Sequence, residues 1–293
     1  MSINWYPGHM EKGKRLVEKH IDLVDVVLEL VDARLPYSSR NPDIEKITKK
    51  RPRVILLNKS DLADPNVTAQ WIQWFRQQGD SALAISSTNG ENLNRLPNTV
   101  APLAAEALQK WVNKGRLPRS VRLMMVGIPN VGKSSLINRL IGVKKVAAAD
   151  RPGLTRQSQW VRIRGDMDLL DMPGILMPRI HQVDVGRKLA STGAISDEVY
   201  DKGEVARFLI LWLTKEYPTV LTQRYDLEGP LSTDGEELLD QIGRKRGYLQ
   251  SGNRVDSLRT AQMVIDEFRG GKLGRISLEK PADFITEDAI HGK

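Results

Sequence analysis

The run Gly127-Ile128-Pro129-Asn130-Val131-Gly132-Lys133-Ser134-Ser135 constrains this 293-residue chain more than any other stretch. It fits the pattern G-x-x-x-x-G-K-[ST]. The apolar segment Arg122-Leu123-Met124-Met125-Val126 leads into it and reads as a buried strand, and Leu136-Ile137-Asn138-Arg139-Leu140-Ile141 follows with helical spacing. A glycine-rich loop between a strand end and a helix start is a phosphate cradle. Its glycines let backbone N–H groups turn inward, and the helix N-terminus favours an anion. The spacing sets Asn130, Val131, Gly132, Lys133, Ser134 and Ser135 around a bound phosphate chain. Lys133 is then expected to reach the β- and γ-phosphates and Ser134 to ligate Mg²⁺.

The flanking patterns decide what surrounds this loop. Apolar runs at residues 24–31, 54–57 and 81–85 predict further strands, and residues 158–164 and 167–170 predict a hairpin turning at Gly165-Asp166. Helical patterns at 43–49, 67–78 and 93–112 lie between the strands; Trp71, Trp74 and Phe75 read as packing residues of the second. Strand–helix alternation implies an α/β domain over residues 1–178, with about six mostly parallel strands and ligands at their carboxyl ends. Beyond Met177 the strand signals fade. Helical patterns at 183–191, 197–217, 234–246 and 256–269 predict a small α-helical domain over 179–293.

Other motifs follow the expected strands. Asn58-Lys59-Ser60-Asp61 fits N-K-x-D. An ionised carboxylate at Asp61 accepts from both the ring N–H and the exocyclic amine of guanine, a donor pair adenine lacks, and such a site rejects the analogue strongly. Asn58 is expected to contact the base and tie it to the P-loop, and Lys59 to cover one ring face. Asp171-Met172-Pro173-Gly174 fits D-x-x-G. Asp171 would hold Mg²⁺ through water, and the Gly174 N–H would sense a γ-phosphate at close backbone approach. Thr155 is the sole threonine between the P-loop and Asp171, and would complete the Mg²⁺ shell. Ser86-Ser87-Thr88 follows the third strand; it is either a backbone contact to guanine or an ordinary helix N-cap. Together these motifs predict GTP and GDP as ligands, with Mg²⁺ as cofactor.

Their order is unusual. In a standard GTPase chain the P-loop comes first and N-K-x-D later; here N-K-x-D and S-S-T precede the P-loop, Thr155 and D-M-P-G. This is a circularly permuted P-loop GTPase domain. With Trp5-Tyr6-Pro7-Gly8-His9-Met10, Asp32-Ala33-Arg34-Leu35-Pro36 and Pro152-Gly153-Leu154-Thr155, the chain closely resembles the YlqF/RbgA ribosome-biogenesis family over essentially its whole length. The resemblance implies a GTPase acting late in assembly of the large ribosomal subunit, stimulated by that particle, with a helical domain that helps bind ribosomal RNA. It also implies that His9 supplies the group that orients water, since Ile175 stands where Ras-like enzymes carry glutamine. P-loops of the form N-V-G-K-S resemble those of K⁺-activated GTPases, in which the residue matching Asn130 helps hold the ion.

Composition bounds the rest. The net charge is +8, and residues 110–164 carry 13 Lys/Arg against one acid, Asp150. That surplus predicts a polyanionic partner near the nucleotide site, such as rRNA. Arg244-Lys245-Arg246 and residues 269–275 are smaller basic clusters. There is no cysteine, hence no disulfide framework or thiolate metal site. No apolar run approaches membrane-spanning length, and the N-terminus shows no secretory pattern. The family motif starts at Trp5, leaving no space for a transit peptide, so a monomer in the bacterial cytoplasm is expected. Two other readings remain open: an RNA-binding module that uses GTP as a structural ligand, and a P-loop ATPase or kinase, against which Asp61 argues. Thr155 and Asp171 lie just before the helical domain, so nucleotide state is expected to set the angle between domains.

Overall fold

The computed structural model describes residues 7–141, 159–163, 166–172 and 182–284, the side chains of 7–12 and 159 excepted. These residues form two compact units: 7–172 with 277–284, and 182–276.

The first unit is built on a six-stranded sheet of order β3-β2-β1-β4-β6-β5. Its strands are β1 (Val26–Asp32), β2 (Arg53–Asn58), β3 (Ser81–Ala84), β4 (Val121–Gly127), β5 (Gln159–Ile163) and β6 (Met167–Asp171). All neighbours pair in parallel except β5, which pairs antiparallel with β6 as the expected hairpin. Every residue of β1 is buried, as a Val/Leu-rich strand inside a covered parallel sheet requires.

One sheet face presents Val27, Met124, Val126 and Leu170, packed with Val17, Ile21 and Ile44; there α1 (Pro7–His20) and α2 (Pro42–Thr48) cover it. Alternate positions Val31, Ile55 and Leu57 of the same face meet Trp71 and Phe75 of α3 (Pro65–Gln77). Trp71 and Phe75 are fully buried, in keeping with a packing role. α3 starts where its sequence dictates: Pro65 occupies the first turn, and the Asp64 carboxylate accepts from Asn66 N and Val67 N. α4 (Leu96–Asn113) lies against β1, β2 and β4, and α5 (Lys133–Ile141) against β4 and β5. A charge is built into the middle of β1: Glu29 is buried and pairs with Arg40 at 2.9 Å and with Arg53 at 3.7 Å.

The second unit packs α6 (Val183–Ser191), α7 (Lys202–Glu216), α8 (Pro218–Tyr225), α9 (Gly235–Lys245) and α10 (Ser257–Arg269), with a two-stranded hairpin of β7 (Leu249–Gln250) and β8 (Arg254–Val255). α7 is its axis, burying Val205, Leu209, Ile210 and Leu213 and packing against α6, α8, α9 and α10. Among the described residues no helix is long and apolar enough to cross a membrane.

Two features differ from the sequence reading. The helical domain does not run to the C-terminus: residues 277–284 return to the sheet-containing unit, so the helical unit is an insertion. That segment, Ser277-Leu278-Glu279-Lys280-Pro281-Ala282-Asp283-Phe284, has no periodicity to betray it, because single hydrogen bonds hold it. Second, the helical pattern at 197–217 starts late: α7 begins only at Lys202, capped by Asp201, and a further helix that the pattern did not predict, α8, opens at Pro218.

Candidate functional site

The carboxyl ends of β1, β2 and β4 carry loops that meet although they lie far apart in sequence. Asn58, at the end of β2, is fully buried. Its Nδ2 donates to the Val131 carbonyl at 2.7 Å, and its Oδ1 accepts from Ser87 N at 2.9 Å. One side chain thus ties N-K-x-D to the P-loop and to the S-S-T turn. Ser60 N donates to the Ile85 carbonyl at 3.1 Å and closes the same corner. Ser86 and Ser87 do not cap a helix; the Ser86 hydroxyl accepts from Asn89 N within its own turn.

Lys59 makes a second brace. Its amine donates to the Asn130 carbonyl at 2.9 Å and pairs with Asp32, from the end of β1, at 3.1 Å. Lys59 and Asn130 both hold left-handed backbone conformations, φ 59° and 56°. Such strain on non-glycine residues persists only where surroundings enforce it and clusters at binding sites. Asp32 is itself buried and gripped by Arg34 through two hydrogen bonds of 2.9 and 2.8 Å. Burial would raise the Asp32 carboxyl, but the Arg34 and Lys59 cations hold it well below the usual carboxylate range. Sequence alone assigns no role to Asp32 or Arg34; the string Asp32-Ala33-Arg34 at a strand end is the one signal that points to them.

The P-loop runs between β4 and α5 as its spacing requires. Gly132 sits at φ +102°, where a Cβ would lie 2.3 Å from Asn58 Nδ2, so only glycine admits the tie. Lys133 is buried, its amine donating to the Gly127 and Ile128 carbonyls at 2.9 and 2.8 Å. Burial pushes that amine down to about 8, against the pull of Asp171. Ser134 and Ser135 lie in the first turn of α5.

Three buried carboxylate oxygens at this edge lack a hydrogen bond of ordinary geometry: Asp61 Oδ1 and both oxygens of Asp171. A buried acceptor without a donor is costly, and a ligand commonly resolves it. Asp61 Oδ1 suits the N–H donors of a purine base. Asp171 ends β6, in register with Met125 of the P-loop strand. Burial pushes its carboxyl up to about 6, against the Lys133 amine and the Met172 N–H. A buried carboxylate whose oxygens lack ordinary hydrogen bonds fits a divalent cation, and Asp171 with Ser134 would hold Mg²⁺.

Thr155, Gly174 and Ile175 lie outside the described residues, as does the segment joining Met172 to α6. The backbone of His9 lies in the first turn of α1, which Pro7 opens; its side chain lies outside the described ones.

Only part of the basic stretch falls within the described residues; Lys144, Lys145, Arg151, Arg156 and Arg164 lie outside them. Residues 110–122 gather at the amino ends of β1 and β4, opposite the P-loop. There Arg119 pairs with Asp25 at 2.7 Å, and Arg116 and Arg119 flank the Trp111 ring at 4.3 and 4.6 Å. Arg162 is met by Asp166 and Asp168. Lys114, Arg116 and Arg122 keep no carboxylate partner among the described residues. In the helical unit, Arg244 pairs with Asp240, Lys245 with Asp226 and Glu228, Arg246 with Glu267, and Arg269 with Asp197. These cations therefore have acidic neighbours, most of the pairs being partly exposed.

Comparison with known proteins fits this geometry. Residues 122–223 match the family described as 50S ribosome-binding GTPase. The chain is 44% identical over 284 residues to ribosome biogenesis GTPase A of Bacillus cereus, covering 97% of this chain and 96% of that one. A GDP-bound YlqF structure aligns with a TM-score of 0.65 at 27% identity, over 91% of this chain and 99% of its own. GNP-bound YlqF from T. maritima aligns at 0.64 and 27%, over 92% and 98%.

Proposed function

Because the chain belongs to the ribosome biogenesis GTPase A (YlqF/RbgA) family, we propose that it is a GTP-hydrolysing assembly factor of the large ribosomal subunit, acting late and stimulated by that particle. The observation that carries this reading is the cross-brace of Asn58 and Lys59 onto the P-loop, beside an Asp61 oxygen that is buried without a donor. Guanine offers that carboxylate two adjacent donors, the ring N–H and the exocyclic amine, a pair that adenine lacks.

In this reading the P-loop N–H groups and the α5 N-terminus take the phosphates. The Lys133 amine exchanges its two loop carbonyls for phosphate oxygens, which are stronger acceptors. Ser134, Thr155 and Asp171 hold Mg²⁺, which when bound neutralises charge on the β- and γ-phosphates. Asn130 contributes to a K⁺ site beside them. His9 orients the attacking water, and Gly174 senses the γ-phosphate. The protein works as a cytoplasmic monomer whose polyanionic partner is rRNA, met through the basic stretch 110–164, of which Lys114, Arg116 and Arg122 are among the described residues. Nucleotide state sets the angle between its two domains.

The test is GTP turnover and co-sedimentation with purified large subunits, with GDP and a non-hydrolysable GTP analogue. Stimulated turnover and analogue-dependent co-sedimentation are expected. Turnover unchanged by large subunits would leave a GTP-binding module without the proposed activity. A histidine-deficient variant, His9→Ala, should keep GTP affinity and lose stimulated turnover, and exchanging K⁺ for Na⁺ should lower turnover.

A further inference from the structure

The segment 277–284 grips both loops that border the base-recognition motif. On one side is the loop after β1. Glu279 is fully buried there, and its carboxylate accepts from Tyr37 N and Ser38 N, each at 3.1 Å, and from the Ser38 hydroxyl. Leu278 N donates to the Arg34 carbonyl at 2.6 Å. On the other side is the loop after β2. The Ser277 hydroxyl accepts from Asp64 N at 3.1 Å, three residues beyond Asp61. Trp71 of α3 donates its indole N–H to the Glu279 carbonyl at 3.1 Å, and Phe284 stacks on Tyr37 at 4.1 Å.

The first loop matters because of what it orients. Ser39 accepts from Asp32 N at 3.0 Å, Arg34 clamps the Asp32 carboxylate, and Asp32 holds Lys59 against the P-loop. A carboxylate stripped of water is an expensive way to plug a gap that an apolar side chain would fill. The hydrogen bonds it accepts from Tyr37 N, Ser38 N and the Ser38 hydroxyl fall on the turn that aims Asp32 and Arg34. We infer that the strap formed by residues 277–284, through Glu279, is a positioning element of the guanine pocket and sets affinity for the base without touching it. This rests on the reading of Asp61 as the guanine acceptor.

The phosphates and the base can be weighed separately. Pyrophosphate engages only the P-loop, whereas GDP needs the base pocket too. Dissociation constants for GDP, ADP and pyrophosphate with Mg²⁺ are measured on the full chain and on Glu279→Ala, Glu279→Gln and Ser38→Ala. Glu279→Ala should weaken GDP about tenfold while pyrophosphate stays within about twofold, because the forfeited interaction is worth roughly one decade in binding. Glu279→Gln, whose amide oxygen still accepts from Tyr37 N and Ser38 N, should recover most of that loss. A merely structural strap would weaken GDP and pyrophosphate together, and that result overturns the inference, as does an unchanged GDP constant. If Glu279→Ala does not fold, Ser38→Ala decides: a smaller, GDP-only loss supports the strap, and no loss overturns it. Equal wild-type affinity for ADP and GDP would instead sink the guanine reading itself.

Discussion

Replacing Gly132 by alanine tests whether the Asn58 tie is what holds the two halves of the site together. The added methyl would stand 2.3 Å from Asn58 Nδ2, 3.3 Å from the Ser87 hydroxyl, and on a backbone at φ +102°. In the free protein the clash is relieved by swinging Asn58 away, which breaks its 2.7 Å bond to the Val131 carbonyl. Binding must then restore the arrangement. An alanine held in that backbone region costs about 1–3 kcal/mol. Leaving the Val131 carbonyl without its donor costs about 1–3 kcal/mol more. Near the middle of those ranges the loss is about 3 kcal/mol or more, hence about a hundredfold or more in GDP affinity. Fluorescent-GDP titration reads this directly, and urea unfolding should also show a loss, because the free protein has given up the Asn58–Val131 bond. A cycle with Asn58→Ala isolates the cause. Once Gly132→Ala has displaced Asn58, deleting its side chain should add little, giving a coupling of about 1 kcal/mol or more. Additive losses, or a Gly132→Ala protein that binds GDP like wild type, would refute the clash as the mechanism.

Further outcomes follow from other parts of the molecule. Asp171→Asn should abolish most of the gain in GTP affinity that Mg²⁺ confers over EDTA, about tenfold or more in wild type, since a neutral amide is a poor ligand for a hard cation. Asp32, held below its ordinary range by Arg34 and Lys59, contributes stability that is present above about pH 4 and is lost as pH falls below that. Asp32→Asn should therefore lower stability at pH 7 and flatten the acid limb of an unfolding-versus-pH curve. Phe75→Ala, which empties a fully buried site between α3 and the sheet, should cost about 3–5 kcal/mol in urea unfolding. Removing Lys114, Arg116 and Arg122 together should leave GDP affinity unchanged and reduce the salt dependence of large-subunit binding, by about 0.7–0.9 in log–log slope for each phosphate no longer neutralised.

What could be read from the residues alone, and what could not, divides along physical lines. The β1 run and the P-loop were legible because each is local: a continuous apolar stretch and a nine-residue pattern carry their own fold. The braces were half legible. Asn58 was expected to reach the P-loop, and it does, whereas the Asp32–Arg34–Lys59 chain depends on two strand ends being neighbours in the sheet. Charge was the least legible property. The excess in residues 110–164 counted Arg119 and Arg162 as free, yet folding brings Asp25 to the first, and the acids just beyond the window, Asp166 and Asp168, to the second. The strap was invisible, since an aperiodic octapeptide declares its role only through partners more than 200 residues away, such as Ser38 at a separation of 241.

That separation has a consequence during synthesis. Trp71 and the carbonyl of Glu279 that accepts its indole N–H are 208 residues apart. At roughly 5–20 residues per second, about 10–40 s pass between the emergence of one and the other. Once β4 and β6 have followed, Tyr37, Trp71 and Trp74 have a sheet to pack on but still lack the strap. Vectorial synthesis therefore finishes the helical unit before the unit that began first. The nascent chain passes through a stage with a complete phosphate-loop sequence and an aromatic flank that the strap has not yet covered.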